Sequence, residues 1–322
     1  MSYLGASKIF NHPREYLFWF ENGYTKAPIT IKIDLTNRCN HSCYYCIDKS
    51  LRGSQDLDFN CASKLIKDLC SMGVKGVHFT GGGEPLLHPR AIDIIAEANK
   101  KGLECGLITN GSLLETVDVK KLCHNLSWLR VSLDSHNQES YEANHGKNVD
   151  FNKTIRGITK VVDCGLCDVS VSHLTGIKKQ NIDLFIKKME QIGVNTVQIS
   201  PLINGKKDEQ FEKYDSKKIK VIVNKEKYLS KKRTYDFCHG QNFKSTNVCA
   251  DGSVYVCCQL AGKDNAFIGN LKNKSFPEIW SSFKRKVVVK NINVSKCPKM
   301  CVCDSLNTIL HDIKNLRHIN SL

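Results

Sequence analysis

The stretch Ile31-Lys-Ile-Asp-Leu-Thr-Asn-Arg-Cys39-Asn-His-Ser-Cys43-Tyr-Tyr-Cys46 decides how this chain is read. Its first five residues, Ile31–Leu35, alternate apolar and polar side chains, the pattern of a strand with two different faces. Three cysteines follow at the spacing C-x3-C-x2-C. Three thiolates this close on a loop can hold three corners of an iron–sulfur cube and leave the fourth iron open. An open coordination position is what makes a metal site catalytic. Zinc would need a fourth ligand nearby, and His41 is the local candidate.

Working outward, five more short runs resemble the first: Val77–Thr80, Cys105–Ile108, Leu129–Leu133, Val169–Leu174 and Thr196–Ser200. Helical patterns separate them. Leu65, Ile66, Leu69 and Cys70 make one apolar face, and Ile92, Ile94, Ile95 and Ala98 another. Ile155, Ile158, Val161 and Val162 make a third, and Ile182, Phe185, Ile186 and Met189 a fourth. Gly102, Gly165 and Gly193 stand where helices stop. Strands alternating with helices give an α/β fold with a parallel sheet, either doubly wound or a barrel short of eight units. In both, residues at the C-terminal ends of the strands face the site.

The pattern breaks after residue 204. Residues 205–233 carry ten Lys and one Arg with little periodicity, which predicts a charged linker or surface segment. Beyond it, Val248–Cys249 and Val254–Cys257 flank Asp251-Gly252, a hairpin signal. Pro277–Val289 reads as a helix with Ile279, Trp280 and Phe283 on one face. The N-terminal aromatic residues Tyr16, Phe18, Trp19 and Phe20 read as packing.

The resemblance now becomes specific. The C-x3-C-x2-C loop after a first strand, with Tyr45 before the last Cys, resembles the radical S-adenosylmethionine (SAM) superfamily. Thr80-Gly-Gly-Gly-Glu-Pro85 looks like that family's GGE motif. Glycines there let backbone approach a ligand closely, and a carboxylate beside them can accept bonds from an ammonium group. The resemblance implies a partial (β/α)6 TIM-like barrel over 28–204, preceded by an N-terminal extension, 1–27. It implies a [4Fe-4S] cluster on Cys39, Cys43 and Cys46 that binds SAM. It implies SAM contacts from Tyr45, Gly82, Gly83, Glu84, Asn110, Ser132, Asp134 and Asn181. Lys178 and Lys179 lie in the loop before Asn181.

Seven cysteines follow residue 237: Cys238, Cys249, Cys257, Cys258, Cys297, Cys301 and Cys303. Cys238-x13-Gly252-x4-Cys257 brackets the hairpin, and Cys297-x3-Cys301-x-Cys303 lies near the end. Two cysteines around a hairpin plus two from a later loop can enclose a four-thiolate cluster. This resembles the SPASM or "twitch" auxiliary-cluster extension of radical SAM enzymes, here a β-hairpin plus helix domain over 236–322 joined by a lysine-rich linker, 205–235. The expected ligands are Cys238, Cys257, Cys297 and one of Cys301 or Cys303, with Cys301 preferred. Alternation along a hairpin turns Cys258 away from Cys257. That leaves Cys249 and Cys258 as spare thiols able to give a hydrogen atom to a substrate radical. Cys61, Cys70, Cys105, Cys123, Cys164 and Cys167 read as packing thiols.

The implied activity is reductive cleavage of SAM to a 5′-deoxyadenosyl radical that takes a hydrogen atom from substrate. A small polyol, amino sugar or nucleotide-like substrate, oxidised or epimerised, is the expected class. Too few residues precede the first strand for a leader-peptide domain. The alternatives are a maturase of ribosomally made peptides, a nucleic-acid modifying enzyme and a non-enzymatic iron–sulfur electron carrier. A flavodoxin- or ferredoxin-type donor is the expected electron partner. The net charge of +15 invites nucleic acid, but it comes from 38 Lys and only 9 Arg, and arginine is the usual phosphate fork. Two loaded cubes lower it to about +12. The chain shows no secretory signal and no apolar run near the ~20 residues of a membrane helix. A cytoplasmic setting is therefore expected, where sixteen cysteines point to metal and not to disulfides.

Overall fold

The computed structural model describes residues 6–202, 213–224, 233–298 and 301–315. The six expected strands form: β1 Thr30–Asp34, β2 Gly76–Thr80, β3 Glu104–Thr109, β4 Trp128–Ser132, β5 Asp168–Thr175 and β6 Thr196–Pro201. They pair in parallel, in chain order. Between them run α2 Phe59–Ser71, α3 Ala91–Lys100, α4 Val119–His124, α5 Gln138–His145, α6 Phe151–Cys164 and α7 Ile182–Ile192, with α1 Pro13–Asn22 ahead of β1.

Alternation along the strands divides two environments. Ile31, Ile33, Val77, Phe79, Leu129 and Val171 face the helices and are fully buried. The expected helical faces meet them: Leu65, Ile66, Leu69, Ile94, Ile95, Ile158, Val161, Phe185 and Met189 all lie in the same core. The other face carries Lys32, His78, Arg130, Ser172 and Gln198 and is only half-buried. The apolar face packs on the helices and the polar face lines the lumen of an open barrel.

Two features depart from the expected layout. Within 205–235 lies a seventh parallel strand, β7 Lys220–Val223, paired to β6. Its Lys220-Val-Ile-Val223 run is short and flanked by lysines, which hid it. Of that segment, 205–212 and 225–232 lie outside the described residues. Second, the C-terminal hairpin is no separate sheet. Its first strand, β8 Asn247–Val248, pairs in parallel with β1, with Lys32 opposite Asn247 and Ile33 opposite Val248. Strands β9 Ser253–Tyr255 and β10 Phe267–Asn270 continue the sheet antiparallel, giving ten strands in the order β10-β9-β8-β1 to β7. Gly252 makes the hairpin turn at φ +84°, a conformation that side chains disfavour.

The helix expected over Pro277–Val289 is two: α8 Phe276–Ser281 and α9 Phe283–Lys290. Ser282 breaks it by adopting extended backbone and capping α9, its Oγ accepting from the Arg285 amide at 3.1 Å. The break shifts the face: Ile279 and Trp280 are buried, whereas Phe283 is 80% exposed. The last helix is α10 Asp304–Lys314.

A satellite core joins the two ends of the chain. Trp19 is fully buried against Phe243, Ile29, Leu306 and Leu310, with its ring 5.6 Å from Phe243 and 5.2 Å from His239. Emptying a large aromatic site costs about 3–5 kcal/mol. Trp19→Ala should therefore lower the unfolding free energy by that amount in urea titrations, and a loss below about 1 kcal/mol would contradict this packing role.

Candidate functional site

Cys39, Cys43 and Cys46 lie on the loop that leaves β1, all half-buried and all free thiols. With Asn37, Arg38, His41, Lys49 and Arg52 they line a cavity of about 360 Å³. Arg52 donates to the Cys46 sulfur at 3.3 Å. Burial pushes the Cys43 thiol up to about 12, helped by the charges of Asp134 and Cys46. Among the described residues, the group whose ligand atoms all lie within 4.8 Å of one another is His41, Cys43 and His145. The three cysteines do not close on one ion as a zinc site must, with its Zn–S bonds near ~2.3 Å. Three thiols spread around a cavity fit the corners of a cube.

Six expected cofactor residues, Tyr45, Gly82, Gly83, Glu84, Asn110 and Asp134, build the frame of this loop. The Gly81–Gly83 turn presses on the backbone that precedes Cys39. A Cβ on Gly83 would stand 1.9 Å from the Arg38 carbonyl oxygen, and one on Gly82 would stand 2.5 Å from Asn37 Oδ1. The Glu84 amide donates to the same Arg38 carbonyl at 2.8 Å. The Glu84 carboxylate is 2% exposed and accepts from the Leu86 amide, the Thr109 hydroxyl and the Asn110 amide at 3.1, 2.7 and 2.7 Å. It thus ties the glycine turn to the end of β3. Asn110 Nδ2 donates to Asn40 Oδ1 in the cysteine loop at 2.9 Å. Tyr45 donates to Asp134 Oδ2 at 2.8 Å, and Asp134 Oδ1 accepts from the Leu174 amide at 2.7 Å.

The other expected residues divide. Ser132 stands half-buried on the lumen face at the end of β4, in register with Ser172. Asn181 is exposed, and its Oδ1 caps α7 by accepting from the Leu184 amide at 3.0 Å. Sequence reasoning missed His145, on α5. Its Nε2 lies 2.9 Å from the Leu133 carbonyl, so that nitrogen carries the proton, and Nδ1 faces Cys43 Sγ at 3.4 Å. Burial lowers His145 to about 3 and His41 to about 4, so both rings are neutral.

The C-terminal thiols converge. Cys303 contacts Cys238 and Cys301, and Cys301 lies beside Cys297. Cys257 feels the charge of Cys303. Both Cys301 and Cys303 are thus at the centre of the group, with Cys303 buried where Gly240 leaves room for it. The strand alternation expected to turn Cys258 away from Cys257 does not extend that far. β9 ends at Tyr255, a tight turn begins at Cys258, and the two thiols touch. That contact, then Lys32, pulls the Cys258 thiol well below its ordinary range.

The seam between β1 and β8 brings the two cysteine groups against one lumen. Lys32 Nζ donates to Cys258 Sγ at 3.2 Å. Asn247 Nδ2 donates to Asp34 Oδ2 at 2.8 Å and to Cys249 Sγ at 3.3 Å. Burial raises Asp34 to about 6 and Asp48, two residues past Cys46, to about 7.

The family model of the radical SAM superfamily matches residues 33–192, and that of the SPASM iron–sulfur cluster-binding domain matches residues 238–305. The chain belongs to the radical SAM superfamily. Its C-terminal part is a SPASM domain, and the pair of domains brings SAM, a [4Fe-4S] cluster and an auxiliary iron–sulfur cluster. The GTP 3′,8-cyclase of Staphylococcus haemolyticus is 30% identical over 192 residues, 56% of this chain and 52% of that enzyme. The AdoMet-dependent heme synthase of Methanosarcina barkeri is 30% identical over 195 residues, 58% of this chain and 55% of that enzyme. The chain spans about half the length of these curated relatives. SuiB of Streptococcus suis, solved with its precursor peptide SuiA, superposes with a TM-score of 0.68 at 12% identity, over 89% of this chain and 72% of SuiB. That likeness shows the fold. No helix among the described residues is long and apolar enough to cross a membrane.

In this radical SAM protein the Tyr45–Asp134 latch has a pH signature. Burial raises the Asp134 carboxyl from 3.8 to about 6, against the pull of its bonds to Tyr45 and Leu174. A raised carboxyl holds its proton in the fold where the unfolded chain has lost it. Its contribution to stability is full below 3.8 and is lost as pH rises through about 6. Asp134→Asn should remove up to about 3 kcal/mol of that decline. Urea unfolding of the metal-free protein across that pH range checks it, and an unchanged slope would contradict it.

Proposed function

We propose that this protein uses SAM to abstract a hydrogen atom from a small polar molecule, a polyol, amino sugar or nucleotide-like compound, held in the barrel lumen. The observation that carries the reading is the β1–β8 seam. It sets the SPASM thiols Cys249 and Cys258 within hydrogen-bond reach of Asn247 and Lys32, on the lumen side of the sheet. A substrate there lies between the cysteine loop and the SPASM domain. The curated relatives are named for GTP and heme, both small molecules, which supports the class.

Cys39, Cys43 and Cys46 would hold the cluster that binds SAM, and Cys238, Cys257, Cys297 and one of Cys301 or Cys303 the auxiliary one. When bound, the first cluster and SAM supply a 5′-deoxyadenosyl radical for hydrogen abstraction. The chain's own residues hold and orient. Gly82 and Gly83 bring backbone close to the cysteine loop, and Glu84, Asn110 and the Tyr45–Asp134 pair keep that loop in place. Ser132 faces the lumen beside them. Lys32, Asp34 and Asp48 offer donors and acceptors to substrate hydroxyl or amino groups. Oxidation of the substrate would pass one electron to the auxiliary site, whereas epimerisation would draw a hydrogen atom from Cys249 or Cys258. An acidic flavodoxin- or ferredoxin-type donor suits the chain's charge of +15.

Anaerobic reconstitution tests the reading. Replacing Cys39, Cys43 or Cys46 by Ala should cut 5′-deoxyadenosine formation by more than about a hundredfold. Cys257→Ala should lower iron from about eight to about four per chain. Cleavage of SAM by the Cys43→Ala protein at the unaltered rate would refute the cluster assignment. Product lost on Cys249→Ala or Cys258→Ala identifies a hydrogen-donating thiol, and product retained by both assigns the reaction to oxidation.

A further inference from the structure

At mid-strand level the lumen carries two cations, Lys32 and Arg130, among the acids Asp34, Asp48 and Asp134, which burial raises. Lys32 of β1 stands in register with His78 of β2. Arg130 of β4 projects from the same polar face, two residues after Trp128, whose ring lies over Gly106 and 5.0 Å from the His78 ring. Burial lowers His78 to about 4, and the charges that add to this are Lys32, Arg130, Lys244 and Lys8, all cations.

The two cations inside the lumen have few partners. Arg130 Nη1 reaches Gln198 Oε1 at 3.3 Å, a neutral acceptor at the long end of the range, and its buried Nε has none. The acid that acts on Arg130 is Asp134, whose oxygens already serve Tyr45 and the Leu174 amide. Lys32 spends one donor on Cys258 Sγ. The Cys258 thiol is the strongest attractive charge acting on it, followed by Asp34, which accepts from Asn247, and Lys32 acts in turn on Asp48. Neither cation forms an ion pair within 4.0 Å among the described residues. A buried guanidinium with spare donors is costly unless an anion completes it, and its fork fits a two-oxygen group.

We propose that Arg130 and Lys32 form an oxyanion subsite at mid-strand level in the lumen, which holds a phosphoryl or carboxylate group of the substrate. The inference rests on the lumen being the substrate site. It adds that the substrate is anionic at the end remote from the cysteine loop. An anion on Arg130 anchors the molecule there and leaves its other end toward the strand C-termini, where Cys39, Cys43 and Cys46 lie. A neutral polyol would leave the buried Arg130 Nε without a partner.

The test is calorimetric titration of the reconstituted, full-length protein with inorganic phosphate and, separately, with acetate. Saturable binding of phosphate over acetate names a phosphoryl substrate, and the reverse order names a carboxylate. In either case Arg130→Gln and Lys32→Gln should each weaken binding by about tenfold or more, the worth of one charge-assisted hydrogen bond. If Arg130→Gln does not fold, Lys32→Gln carries the comparison. No saturable binding of either anion, or affinities unchanged in the folded variants, would overturn the subsite. SAM cleavage by the unaltered protein is measured alongside. Cleavage without anion binding defeats this inference alone, whereas absent cleavage defeats the radical reading.

Discussion

Pairing of β1 with β8 is the constraint on which the rest of the molecule depends. A barrel of parallel strands leaves an edge, and an exposed edge carries unpaired backbone groups. Here residues 30–33 of β1 bond to β2 on one side, while the Phe243 and Thr246 carbonyls accept from the Ile29, Thr30 and Lys32 amides on the other. The SPASM segment is therefore a continuation of the barrel's sheet. Because side chains alternate along a strand, this register determines that Lys32 and Asp34, and not Ile31 and Ile33, meet Asn247, Cys249 and Cys258. A slip of one residue would put apolar side chains against the thiols and charges against the helices.

The second constraint is electrostatic. The lumen brings Lys32, Arg130, Asp34, Asp48 and Asp134 out of water together, and desolvation raises the acids to between about 6 and about 7. Such groups add little to stability and reduce it when unpaired. Their concentration on one face, opposite a fully apolar face of the same strands, marks that face as functional. The cysteine loop follows the same logic. Glu84, Asn110 and Asp134 come from different strand ends and hold the loop by hydrogen bonds, Asp134 through Tyr45 of the loop itself.

Much of this was legible in the chain because its signals are local. The six barrel strands and the helices α2, α3, α6 and α7 follow from side-chain period, whereas the short α4 and α5 do not, and the three-cysteine loop follows from spacing alone. What the sequence hid depends on pairing between distant residues. Lys32 and Cys258 are 226 positions apart, and nothing local to either announces their contact. His145 reaches Cys43 from a helix 102 positions on, through a fold that only the strand order creates. Glu84 also accepts from Thr109 and Asn110, a tie to the end of β3 that nothing local to it announces. Asn181 fits both a cap and a cofactor contact, and its Oδ1 makes the cap. Ser282 divides a helix that periodicity draws as one, because a capping hydroxyl outweighs a weakly patterned run.

The central claim is that the loop of Cys39, Cys43 and Cys46 holds a cluster with an open iron that SAM occupies, separate from the SPASM cluster. Electron paramagnetic resonance of the anaerobically reduced protein, with and without SAM, tests it most directly when recorded on the unaltered chain, Cys43→Ala and Cys257→Ala. The account predicts that SAM changes the signal of the unaltered and Cys257→Ala proteins and leaves that of Cys43→Ala unchanged. A SAM response that survives Cys43→Ala and vanishes with Cys257→Ala would contradict it.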